Sequence, residues 1–295
     1  MIKIKSHFLT FYFILITLIS SSCSIKKKMQ RERKLIGVSN NAYSYLKMDR
    51  ISADSIKVYY AMQTEVSNKD YRVFLNYLKH NKTENIYKIC APDSTMWFKI
   101  GFKDSVLSDS MFRYYHNHSK FDNYPVVNIT KYAAVLYSEW LSEIDPGGVY
   151  EYRLPRINEW DKLFCNAKDT MFTWKGSYWR NSENELLANF ALLDQRKVKY
   201  SNLDSSYQEK FMLEHFNFMI AGPKSVYSHY HNDCGFYNIC GNVSEFILDV
   251  NFTKGGSWLS PISYLTKNAI ENEYSPNPAT GFRLIRIEKR KNSGS

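Results

Sequence analysis

Cysteines, histidine pairs and neighbouring carboxylates are the residues of this 295-residue chain whose types could do chemistry. Cys23, Cys90, Cys165, Cys234 and Cys240 offer thiols that can bind soft metals, attack as thiolates or form disulfides. No Cys-x-x-Cys pair and no paired zinc-ligand spacing occurs among them, so spacing selects none of these uses. In an exported chain they could oxidise. Connectivity does not follow from sequence, even for the nearby Cys234 and Cys240, and buried free thiols are the plain alternative. His116-x-His118 and His229-x-His231 would each share a face if they lay on strands. A third ligand is not apparent for either pair, and loop histidines at the surface fit the same spacing. Glu159 and Asp161 are expected on the exposed side of a helix whose apolar face holds Trp160. No Ser-His-Asp arrangement, P-loop or GxGxxG element is present.

Three helices and a few short strands would have to position these groups. Ser67 is a good N-cap with Asp70 at the third helical position, and Tyr71, Phe74, Leu75 and Leu78 then recur on one face. A second helix starts after Thr130, buries Ala134, Tyr137, Trp140 and Leu141, and stops at Asp145-Pro146-Gly147-Gly148. A third follows Leu154-Pro155, with Pro155 suited to a first helical turn, and buries Ile157, Trp160 and Phe164. Val58-Tyr59-Tyr60 and Phe282-Arg283-Leu284-Ile285 read as short strands. With 44% hydrophobic residues, 23 Tyr and 18 Phe, the chain can bury a substantial core. The reading is one α+β domain over 46–291 with much loop.

The N-terminus has another character. Lys3 and Lys5 precede a 12-residue apolar run, Phe8 to Ile19, too short to cross about 30 Å of hydrocarbon as a helix. Ser20, Ser21 and Ser22 then lead to Cys23, the pattern of a secretory signal peptide. The cysteine at this boundary resembles the lipobox of bacterial lipoproteins, whose aliphatic residue stands here at Ile19, one place early. Residues 1–23 therefore read as a lipoprotein signal with lipidated Cys23, and 24–45 as a basic tether. The alternative is ordinary secretion with an incidental cysteine. Of the formal charge of +10, residues 1–23 carry +2, 24–34 carry +5 and 288–295 carry +2, so the body is nearly neutral. A basic stretch beside a lipid anchor suits anionic headgroups, and no basic face for nucleic acid is implied.

Six blocks in order resemble formylglycine-generating enzymes, the sulfatase-modifying factor family. They are Val58 to Asn68 (VYYAMQTEVSN), Tyr124-Pro125-Val126-Val127-Asn128 ahead of the Trp140 helix, Tyr152-Arg153-Leu154-Pro155 with Glu159-Trp160, Gly235 to Phe246 (GFYNICGNVSEF), Gly255-Gly256-Ser257-Trp258, and Gly281-Phe282-Arg283. The resemblance covers about three-quarters of the chain. It implies a formylglycine-generating-enzyme-like fold, related to C-type lectins and poor in regular structure. The strand that usually opens it is not recognisable here.

The resemblance also implies what the site lacks. Enzymatic members hold copper with two cysteines just past the Gly-Gly-Ser block, thiolates being soft ligands for Cu(I). Those positions are Ser260 and Leu265 here, and the histidine after the first is Pro261. Ser257 fits the family's active-site serine but has no thiolate to assist. No copper and no oxidase activity are expected. Calcium is expected in a structural role, since Asn238, Gly241, Val243 and Glu245 match the family's calcium loop and offer hard oxygen ligands. The alternative is a tight turn with Glu245 in a salt bridge. A second family calcium loop would begin at Asn189-Phe190. Arg283 reads as a buried ion-pair partner.

Lipid-anchored members of this fold act in bacterial gliding and secretion machineries, which implies a non-catalytic envelope protein, anchored in the outer membrane, with other envelope proteins as partners. A ligand-display module like lectin-related variable proteins, through Ser260 to Thr280, is the alternative from another class, and a formylglycine-generating oxidase is a third.

Overall fold

A computed structural model describes residues 48–53, 58–81, 84–100, 105–145, 148–165, 171–191 and 222–289. The signal segment, Cys23 and the 24–45 tether lie outside the described residues. Contacts divide the chain into Met1–Tyr45 and Leu46–Ser295, and all described residues fall in the second unit.

Two small sheets organise that unit. In the first, β1 (Met48–Ala53), β2 (Val58–Met62), β8 (Ile285–Glu288) and β3 (Tyr150–Arg153) lie in that order, every pair antiparallel. β1 is the opening strand that the sequence does not reveal. Its sequence MDRISA has no clear alternation, and pairing with β2 from Met48↔Met62 to Ala53↔Val58 is what makes it a strand. The second sheet runs β6 (Glu271–Asn272), β5 (Phe252–Lys254), β4 (Ser244–Phe246), β7 (Thr280–Gly281), with β4 and β7 parallel.

Between β2 and β3 the chain is mainly helical. α1 (Asn68–His80) begins at the expected capping box, Ser67 Oγ accepting from Asp70 N while the Asp70 carboxylate accepts from Ser67 N. Its Tyr71 and Phe74 stack against Tyr137 and Trp140 of α4 (Lys131–Ile144), and Phe282 closes the cluster, with ring centroids 5.2 to 6.3 Å apart. Tyr71 Oη donates to Cys90 O at the end of α2 (Glu84–Cys90), tying that short helix to the cluster. α3 (Ser105–Tyr114) packs Met111 with Trp97, Tyr115, Val243 and Trp258.

α5 (Ile157–Leu163) departs from the sequence reading in two ways. Its N-cap is Arg156, so Pro155 precedes the helix instead of opening it. Glu159 is not on the solvent side but buried. It accepts both terminal nitrogens of Arg153 at 2.6 Å and reaches back to Arg156 N at 2.9 Å. Asp161 is half-buried and pairs with Lys254. Glu159 thereby holds Arg153 and the start of α5, and Asp161 holds the buried Lys254 of β5. The expected strand at Phe282 also starts later, at Ile285. Residues 282–284 cross the core instead, Phe282 O and Leu284 O accepting Val66 N and Met62 N.

Candidate functional site

That crossing segment sets the centre of the molecule. Arg283 is fully buried between the two sheets, and all six of its hydrogen bonds reach chain segments far away in sequence. Its Nε lies 2.8 Å from both oxygens of Glu245 and its Nη2 2.6 Å from Oε1. The remaining donors go to Met62 O, Gln63 O and Tyr237 O. Trp160 Nε1 donates to Glu245 Oε2 at 2.8 Å, which fixes the carboxylate from the α5 side. The expected burial of Arg283 in an ion pair is what the structure shows.

A second carboxylate, Glu65, sits beside this pair with no exposure at all. Asn242 Nδ2 and Asn238 Nδ2 donate to its two oxygens at 2.9 and 3.1 Å. The 235–246 loop can present both amides because Asn238, Gly241 and Asn242 adopt left-handed backbone, with φ of 51°, 84° and 63°. At position 241 only glycine fits, since a Cβ there would lie 2.5 Å from Asn189 O.

One guanidinium thus bonds Glu245 and also acts electrostatically on Glu65 nearby. Burial pushes the Glu65 carboxyl up to about 7, Arg283 opposing and Glu245 adding to the rise. Its ordinary value is 4.5, so the folded chain binds this proton more tightly than the unfolded chain does. The associated stability is fully present below pH 4.5 and is lost as pH rises to 7, by up to about 3 kcal/mol. His116 acts in the opposite sense, burial lowering it to about 3. The readout is therefore the difference between the parent and Glu65→Gln. Urea unfolding from pH 4 to 8 should show the variant gaining on the parent as pH rises, and parallel curves would mean Glu65 stays ionised.

The four residues expected to hold calcium do come together in one loop, where two of them are engaged by protein partners. Glu245 is the one charged ligand, and its charge is already neutralised by Arg283. The Asn238 amide is aimed at Glu65 and at Val226 O. Asn189, where a second calcium loop was expected to begin, is different. Its Nδ2 donates to Gly222 O and Asn242 Oδ1, while Oδ1 is buried and without a hydrogen bond among the described residues. No group of three or more His, Cys, Asp or Glu with metal-ligand geometry exists among the described residues.

The degenerate catalytic block is a closed polar network. Ser257 Oγ and Ser260 Oγ are 2.7 Å apart, Ser257 N donates to Ser260 Oγ at 2.8 Å, and Ser260 Oγ donates to Glu271 Oε1. Ser257 and Ser260 are 2% and 3% exposed, and burial raises the Glu271 carboxyl. Pro261 caps a short 3-10 turn, Ile262–Leu265, that carries Leu265 into the core. Leu265 O accepts from the Cys240 thiol, which burial pushes up to about 12, far from a reactive thiolate. Cys90 is likewise buried and free. Cys165 and Cys234 form a disulfide, the pairing that spacing leaves open. The residues at the copper positions do not fit copper.

Neither histidine pair lies on a strand. His116 is buried, its Nδ1 3.3 Å from Asn68 Oδ1, contrary to the surface position expected, while His118 is exposed and caps the turn before Ser119. His229 and His231 lie in a loop, bonded to Leu186 O and Asn232 O.

The sequence matches the family model described as "Sulfatase-modifying factor enzyme 1-like domain" over residues 38–288. The chain belongs to this family. Among solved structures, this sulfatase-modifying-factor-like protein is similar to PvdO from Pseudomonas aeruginosa, at 16% identity over 78% of this chain and 80% of that one, with a TM-score of 0.48. It is similar to CarF at 16% identity, covering 82% and 96% of the two chains with a TM-score of 0.45. Treponema denticola variable protein 1 gives 16% identity, 77% and 84% coverage and a TM-score of 0.45. No curated protein matches. Within the family body, sequence reading missed Glu65 and Glu271. Glu65 alone left a trace, as the one charge in the otherwise uncharged run from Val58 to Asn68.

Proposed function

We propose that this sulfatase-modifying-factor-like protein is a non-catalytic, lipid-anchored component of the bacterial cell envelope, acting in the assembly of a gliding or secretion type complex. The observation that carries the non-catalytic part is the occupation of both thiolate positions, by a serine sealed into the Ser257–Ser260–Glu271 network and by a core leucine. Anchoring rests on the basic, apolar and small-residue sequence ending at Cys23. The Cys165–Cys234 bridge supports an oxidising compartment. Incubating the purified chain with Cu(I) and a cysteine-containing sulfatase peptide should give neither stoichiometric metal binding nor formylglycine. Conversion of the peptide cysteine would overturn the reading.

Exposed Ile270 and Tyr274 favour the display alternative, since they turn part of the Ser260–Thr280 segment to solvent. For calcium, our proposal moves from Glu245 to Asn189, whose buried Oδ1 lacks a partner among the described residues. Millimolar calcium should then raise the Tm over that in EGTA by about 5 °C or more, and Asn189→Ser should abolish the rise. A rise that survives Asn189→Ser would return the ion to the Glu245 loop, and no rise in the parent would remove it.

A further inference from the structure

Far from the Arg283 centre in sequence, residues 178–187 form a turn that exposes large aromatic rings while being held rigid. Tyr178 is 79% exposed and Trp179 41%. With Arg180, Asn181 and Ser182 they line a groove of about 520 Å³, within the range of small-ligand sites.

The turn is pinned from both sides. Arg180 and Leu186 form a β-bridge, and Leu187 N donates to Trp179 O. Asn181 Oδ1 accepts from the backbone of Glu183 and Glu185, and its Nδ2 donates to Glu185 Oε2. Trp174 Nε1 donates to Tyr178 O, and His229 Nδ1 meets Leu186 O from the loop that Cys234 tethers through its disulfide. The backbone carrying both rings is fixed by these bonds, so a ligand meets the ordering cost of the side-chain torsions alone. Tyr and Trp supply large contact area with few torsions to freeze.

We propose that this groove binds a neutral or weakly charged saccharide. The flat faces of Tyr178 and Trp179 suit the C–H face of a sugar ring. Around them stand groups that donate and accept side by side, as vicinal hydroxyls require. Arg180 spends one of its five donors on Asn184 O, and Ser182 brings a hydroxyl to the lining. The local charges of Arg180 and Lys175 are balanced by Glu183 and Glu185, which disfavours nucleic acid or a polyanion. The site is separate from the degenerate block and does not depend on the assembly reading.

The test is a glycan array probed with the full chain in a detergent without a sugar headgroup, followed by calorimetry on any saccharide retained. Trp179→Ala and Tyr178→Ala are exposed-site variants, and unchanged circular dichroism and Tm establish that they fold. The expected result is saturable binding that weakens about tenfold or more in each variant. Retention of no saccharide, or affinity unchanged in both folded variants, overturns the proposal. So does capture of a proline-rich peptide in competition with the saccharides, since aromatic grooves also take such peptides.

Discussion

Arg283→Met unfolds the domain or lowers its stability by about 3–5 kcal/mol, the range for breaking a buried ion pair from one side. Among the described residues, the substitution removes the one cation bonded to Glu245 and leaves that carboxylate buried with Trp160 Nε1 as its remaining donor. It also strips donors from Met62 O, Gln63 O and Tyr237 O. Glu65 loses the charge that opposes its rise, so its proton is held more tightly still. Pairing the change with Glu245→Gln recovers much of the loss, because the uncompensated charge is gone while an acceptor for Trp160 stays. Thermal or urea unfolding of the parent, both single variants and the double variant reads this as a coupling energy. A single variant within about 0.5 kcal/mol of the parent would show that solvent reaches Glu245 after all.

Removing the Cys165–Cys234 bridge is the second large effect. The cysteines are 69 residues apart, and closing a loop of that length restricts the unfolded chain by about 4 kcal/mol in the entropic account. The bridge joins the end of α5 to the loop where Asn232 Oδ1 accepts Cys234 N and Phe236 N and Asn232 Nδ2 donates to Leu163 O. Its loss should therefore loosen residues 222–236 first. Cys165→Ser/Cys234→Ser, or the reduced parent, should lose about 4 kcal/mol and show faster amide exchange in that loop before the β2–β8 pair. Equal stability of oxidised and reduced parent would mean the native loop is held by Asn232 alone.

The parts of the fold legible in sequence are those fixed by local rules. Ser67 with Asp70, and Thr130 ahead of an apolar face, mark two helix starts that the structure reproduces, because capping and 3.6-residue periodicity act within a few residues. Arg283 was readable as a buried partner from its place in the Gly-Phe-Arg block. What escaped depends on distant partners. β1 is a strand only because β2 lies beside it, and Cys165 finds Cys234 across 69 residues. Glu159 and His116 look like surface residues until Arg153 and Asn68 are placed against them. The candidate site shows the same division. Positions 257, 260, 261 and 265 could be named by counting from Gly255-Gly256, whereas Glu271 belongs to the network through β6 pairing with β5, which no motif signals. The calcium loop was matched by residue type, yet Arg283, supplied from another segment, takes the carboxylate it relied on.

The central claim, a lipid-anchored and non-catalytic partner in an envelope assembly, is tested most directly by its company in the membrane. The full-length tagged chain would be purified from its native membranes after mild crosslinking, and what accompanies it identified by mass spectrometry. A reproducible set of envelope proteins is expected at near-stoichiometric yield, lost from the membrane fraction together with the chain when Cys23 is replaced by Ala. Recovery of the chain alone, or unchanged membrane association of Cys23→Ala, would contradict it.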